Sequence, residues 1–196
     1  MKKRIPILTI VAIALFCTTA ATTGFAQPSR VLREAERITG DTFRVATRTT
    51  QGANIYAVNR PSRTVLNAID KGLTDLFAIA RKNGYRKRLR YPDYSIYIGK
   101  PDRTKDLDGN YSPDIAVGAA QYAGTIFDKG GYIYVAGMVI ANDPCSFVVA
   151  EPKQDFERLT NVVRYEGEHL VLYHNDRRRY LATADHSKGG THPILQ

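Results

Sequence analysis

Two stretches with helical spacing of apolar residues bracket a series of short β-type segments, and that order constrains the fold of this chain more than any other feature. The first opens at Pro61-Ser62, where Ser62 is placed to cap, and repeats Val65, Leu66, Ile69, Leu73, Leu76, Phe77 and Ala80 on one face. It stops at Asn83-Gly84, with Arg81 and Lys82 suited to the negative end of the helix dipole. The second begins at Asp155 and is expected to run to Asn175. Between them, Tyr94–Ile98, Ile115–Ala120, Tyr132–Ala141 and Phe147–Ala150 are rich in Tyr, Ile and Val, as strands with a buried face require. Turn-rich pieces, residues 105–112 and Lys129-Gly130-Gly131, separate them. Upstream the signals are weaker: a short Val31–Ile38 segment, then strands at Phe43–Thr50 and Asn54–Val58 around Gly52. The order predicts an α+β domain with a helix, a four-stranded or larger sheet, a long C-terminal helix and an ordered tail. That tail, Asp176–Gln196, contains Gly189-Gly190 and His192-Pro193-Ile194-Leu195 and is expected to be irregular while packing back on the domain.

Residues 1–26 have the layout of a secretory signal peptide: basic Lys2, Lys3 and Arg4, an apolar run from Ile7 to Cys17, then small residues ending Gly24-Phe25-Ala26. The reading is a secreted or periplasmic protein whose residues 27–196 form a single domain. The apolar run falls short of the roughly 20 residues that span a bilayer, so no transmembrane anchor is expected. Phe16 before Cys17 is a poor match to a lipidation signal. Cleavage leaves Cys145 as the sole cysteine, which excludes an internal disulfide and puts stability on core packing.

Losing Lys2, Lys3 and Arg4 lowers the formal net charge from +9 to +6. A mildly basic exported domain suits an anionic surface, whether lipid headgroup or polysaccharide. The basic run Arg81, Lys82, Arg86, Lys87, Arg88 and Arg90, interleaved with Tyr85, Tyr91 and Tyr94, resembles a nucleic-acid patch, as does Arg177-Arg178-Arg179. Export argues against nucleic acid, and a solvated helix end is the plainer explanation. Asp106-Leu107-Asp108-Gly109-Asn110 fails as a calcium loop because its glycine comes early and Val117 stands where a bidentate glutamate is needed. Cys145 reads as an inert thiol, and neither a nucleophile elbow nor a phosphate or dinucleotide loop occurs.

All four histidines, His169, His174, His186 and His192, fall in the final stretch of the sequence, on the second helix and the tail. On a helical wheel with Phe156 at zero, Leu159, Val162, Val163, Leu170 and Tyr173 form one apolar face centred near roughly 290°. Glu166 lands near roughly 280° within that face, His169 at its edge near 220°, and Glu168 opposite near 120°. Glu168 is therefore expected to face water. A carboxylate in an apolar stripe must be paired, protonated or bound to a cation, and the i, i+3 spacing lets Glu166 and His169 share a metal ion or a proton. The alternative is a satisfied polar pair that only fixes the core.

Tyr165-Glu166-Gly167-Glu168-His169 resembles the His-Glu-x-x-His signature of the zincin metallopeptidases, with tyrosine in place of the first histidine. The helix, strands and second helix that precede and carry it resemble the minimal zincin core. The resemblance implies that Glu166 is the catalytic base for metal-bound water, that His169 is the second ligand, and that Tyr165 stands in the first ligand's place. The cofactor implied is a divalent metal, zinc in the family, and the activity is hydrolysis of an amide or ester bond in a peptide substrate. Tyr165 departs from the pattern, so the site would have to be rebuilt from Glu166, His169 and the tail residues His186 and His192, with Asp185 orienting His186. His174, off that line, is expected to cap the helix end or face solvent. The non-catalytic reading is an exported binding or structural protein that retains a buried Glu-His pair.

Overall fold

The computed structural model describes residues 29–100, 115–117, 128–129, 132–135, 137–152, 154–185 and 189–196. Residues 1–26, expected to be an export signal, the turn-rich residues 105–112 and His186 lie outside them.

In chain order the elements are α1 (Ser29–Thr39), β1 (Val45–Arg48), β2 (Asn54–Ala57), α2 (Arg63–Lys82), β3 (Tyr94–Gly99), β4 (Ile115–Val117), β5 (Asp128–Lys129), β6 (Tyr132–Val135), β7 (Gly137–Ala141), β8 (Cys145–Ala150), α3 (Phe156–Asn175) and α4 (Arg177–Thr183). The fold is α+β, built on a five-stranded mixed sheet in the order β1-β2-β3-β8-β7. β2, β3 and β8 run parallel, and β1 and β7 are antiparallel edges. α2 is the crossover that parallel β2 and β3 require. A second sheet, β4-β6-β5, is antiparallel.

The central strands are buried on both faces, which is why they read as continuous apolar runs. Their side chains alternate. Ile55, Ile96, Ile98, Phe147 and Val149 pack with α2 and α3, whereas Tyr56, Tyr97 and Val148 pack with Val31, Ala35 and Ile38 of α1. Tyr97 stacks on Tyr56 and meets Phe43 edge-on, each at 5.3 Å between ring centres. Cys145 is buried and free, and burial pushes its thiol up to about 12, which keeps it in the inert protonated form.

Both long helices are capped as their sequences require. Ser62 Oγ accepts from Val65 N–H at 3.2 Å, and Asp155 Oδ1 accepts from Arg158 N–H at 2.8 Å. The Tyr132–Ala141 run, expected as one strand, is two: β6 belongs to the small sheet and β7 to the large one. The Val31–Ile38 segment lies within helix α1, and the tail, expected to be irregular, holds α4. α4 escapes a search for apolar periodicity because it opens on three arginines. Its signal is Asp176, whose Oδ1 accepts from Arg179 N–H at 3.0 Å. Among the described residues no helix is long and apolar enough to cross a membrane.

Candidate functional site at the junction of α3 and the tail

The site is assembled from α3 residues 165–169 and the returning segment 189–195. The return depends on Gly189-Gly190. Gly189 has φ +81°, and a Cβ on Gly190 would stand 2.2 Å from the Thr183 carbonyl oxygen, so no larger residue fits this turn. Gly190 N–H donates to the Asp185 carbonyl at 3.1 Å, and the segment beyond it lies along α3.

Glu168 receives that segment. Its side chain is wholly buried; Oε1 accepts from Ile194 N–H at 2.7 Å, and Oε2 lies 2.8 Å from His192 Nδ1. The tautomer that donates from Nδ1 to this carboxylate is the one that carries the ring's lone pair on Nε2. The expectation that Glu168 faces water is therefore wrong. The wheel placed it opposite the sheet correctly, but residues 192–195 cover that opposite face, which local periodicity cannot register. Ile194, 5% exposed, supplies the apolar part of the cover.

His192 then sits between two aromatic neighbours on α3. Its ring stacks on Tyr165 at 4.6 Å between centres, and His169 lies 4.9 Å away, tilted by 48°. His169 is buried, His192 is half-buried, and Tyr165 keeps 40% of its surface exposed. The structure thus brings together His169, His192 and Tyr165, with Glu168 behind His192.

Glu166 points to another neighbour, the edge strand β7. A Cβ on Gly137 would stand 2.8 Å from Glu166 Cγ and 2.6 Å from Val162 Cγ1, so glycine at 137 is what lets α3 lie this close to the strand. The carboxyl accepts a hydrogen bond from the Val139 backbone. Burial outweighs that bond and pushes its pKa up to about 8, so the group carries a proton at neutral pH. The side chain is half-buried.

The remaining candidates are elsewhere. Asp185 is exposed, and His186, which it was expected to orient, lies outside the described residues. His174 neither caps the helix nor faces solvent. Its Nε2 is 2.7 Å from the Asn142 carbonyl in the β7–β8 turn, and Asp176 takes the capping role. The participants that sequence reasoning missed are Glu168 and the backbone N–H groups of Ile194 and Val139. The only local signal for the first was the apolar Ile194-Leu195 in an otherwise polar tail.

Comparison of the chain with family models, with curated proteins and with solved structures returned no match.

Proposed function

We propose that this chain is an exported, zincin-like domain that holds a divalent metal, of which zinc is the leading candidate, between α3 and the tail, with His169 and His192 as its histidine ligands. The observation that carries this reading is the pair of imidazoles 4.9 Å apart with a buried carboxylate on Nδ1 of one of them. A carboxylate behind a histidine fixes the tautomer that offers Nε2 to a metal and raises its basicity, the usual support for a metal-bound imidazole. The donor chemistry fits a metal, though not a complete ligand set. Among the described residues no group of three or more His, Cys, Asp or Glu is arranged to hold an ion, and catalytic zinc generally takes three protein ligands. His186, nominated by the sequence, is the residue to test for the further donor; Glu166, nominated with it, turns to β7 instead.

A bound metal would supply Lewis-acid polarisation of water or a carbonyl group. The chain's own residues would do the rest. Glu168 orients His192, Tyr165 covers one face of that ring, and Glu166 holds a proton on its carboxyl near neutral pH, the range in which a general acid or base is most effective. Hydrolysis of an amide or ester bond in a peptide is the activity this set would serve. The test is thermal melting of the mature protein with zinc, manganese or calcium. Selective binding to the folded state should raise the melting temperature, and His169→Ala or His192→Ala should abolish the rise. Melting unchanged by all three ions overturns the metal.

A second reading is favoured by one specific observation: both Glu168 oxygens are engaged inside the protein. In that reading the acid and histidines clasp the tail to α3 in a non-catalytic binding or structural protein. Metal titration would then be silent while Glu168→Ala still lowered the melting temperature.

A further inference from the structure

Two basic runs far apart in sequence form one face of the molecule. The loop after α2 is tied to the end of α3 by Asn175, whose Oδ1 accepts from the backbone N–H groups of Arg86 and Lys87 at 3.0 and 2.9 Å and whose Nδ2 donates to the Lys87 carbonyl at 3.0 Å. Tyr85 joins the same junction: its hydroxyl donates to Asp176 Oδ2 at 3.2 Å and accepts from Arg179 Nη1 at 3.1 Å. Lys82, Arg86 and Lys87 are thereby set beside Arg177, Arg178 and Arg179, and all six are exposed. The acid at this junction, Asp176, is half-buried; it bonds Tyr85 and the N–H of Arg179 and lies 3.8 Å from the Arg179 guanidinium, so it offsets one of the six positive charges and leaves the face strongly basic.

The same face carries an apolar residue that the fold does not use. Leu181 is 68% exposed, the most exposed large hydrophobic among the described residues. It lies at i+4 from Arg177 and i+3 from Arg178, so all three share one side of α4. Arg177 is held in place by Tyr173 and Tyr180, its guanidinium 4.0 and 5.0 Å from their ring centres.

We propose that α4 and the loop at residues 82–87 dock this protein on the surface of an anionic phospholipid bilayer. The cations meet the headgroup phosphates, and Leu181 enters the boundary with the acyl chains. Charge complementarity selects an anionic partner, and the exposed leucine on the same side of α4 as Arg177 and Arg178 selects lipid over an acidic polysaccharide or a nucleic acid, neither of which offers an apolar phase for it. The site is separate from the histidine cluster, and its failure would leave the metal reading untouched.

The test is co-sedimentation of the mature chain with vesicles of phosphatidylglycerol and phosphatidylcholine, and with phosphatidylcholine alone. Binding to the anionic vesicles only is expected, and it should be lost at about 0.5 M salt, where the screening length falls to a few ångströms. Lys82→Glu, Lys87→Glu and Arg178→Glu together should weaken binding by more than about 30-fold, because each basic residue near an anionic surface contributes substantially. These side chains make none of the bonds described above, and unchanged melting checks that the fold is retained. Leu181→Ser alone should weaken binding about tenfold. Equal binding to neutral vesicles, or no effect of the charge reversals, overturns the proposal. Indifference to Leu181→Ser with full competition by alginate would assign the face to an acidic polysaccharide and overturn it equally.

Discussion

Helices α2 and α3 are each 20 residues long and lie against the same face of the central sheet, yet they are buried in different ways. α2 buries a stripe: Val65, Ala68, Ile69, Leu73, Leu76, Phe77 and Ala80 face inward, while Arg63, Lys71 and Lys82 on other sides are exposed. α3 begins in the same manner but buries every residue from Gly167 to Leu172, more than one full turn. Only a helix covered all round can do that. The first cover is α2 and the sheet; the second is the segment 192–195. The difference shows that a carboxylate's cost in a protein depends on what meets it as well as on depth. Glu168, wholly buried, has two donors, whereas Glu166, half-buried, has one backbone donor and a pKa raised to about 8.

The contrast can be broken most directly at its polar centre. Glu168→Ala should lower unfolding stability by about 3 kcal/mol, since it strands the buried Ile194 N–H and removes the partner of His192. Denaturant unfolding decides it, and a loss below about 0.5 kcal/mol would mean that the tail is not a true cover of α3. Ile194→Ala attacks the apolar part of the same cover. It should cost about 2–3 kcal/mol, as large-to-small changes at buried sites do, and should increase hydrogen exchange at Val171 and Leu172 more than in α2.

Glu166 supplies a signature in pH. A carboxyl whose folded pKa lies above its unfolded value binds its proton more tightly when folded. Its stabilising contribution is therefore complete below about 4.5 and is lost as pH rises through about 8. Between pH 6 and 8 the loss should be on the order of 2 kcal/mol, read as a falling melting temperature, and Glu166→Gln should flatten that slope. An equally steep slope in the variant would remove the assignment. The smallest effect belongs to α2, whose start depends on a single cap: Ser62→Ala should cost about 1 kcal/mol with no dependence on pH in that range.

Much of this fold was legible in the sequence because local rules suffice for it. Ser62 and Asp155 mark the helix starts, Asn83-Gly84 marks one end, and the β-branched and aromatic runs at 94–98 and 147–150 are the buried strands. Local rules failed where a distant segment decided the outcome. The run 132–141 carries a single break signal, Gly137, and one glycine within a strand marks a bulge as readily as an end, so its division between two sheets could not be read from spacing. Glu168 looked solvent-facing because its cover lies 24 residues downstream of it. At the candidate site, the gathering of His169 and His192 followed from a glycine-bearing tail that could return. The partner of each acid did not follow, because backbone N–H groups leave no mark on a sequence.

The separation of Glu168 from His192 also has an entropic meaning. The length-dependent cost of closing a 24-residue loop is (3/2)RT ln n, about 3 kcal/mol, which is of the same size as what the two bonds to Glu168 contribute. The clasp is therefore close to balance by itself. The tail opens as a local unit, at a lower free energy than the unfolding of α2, α3 and the sheet beneath it.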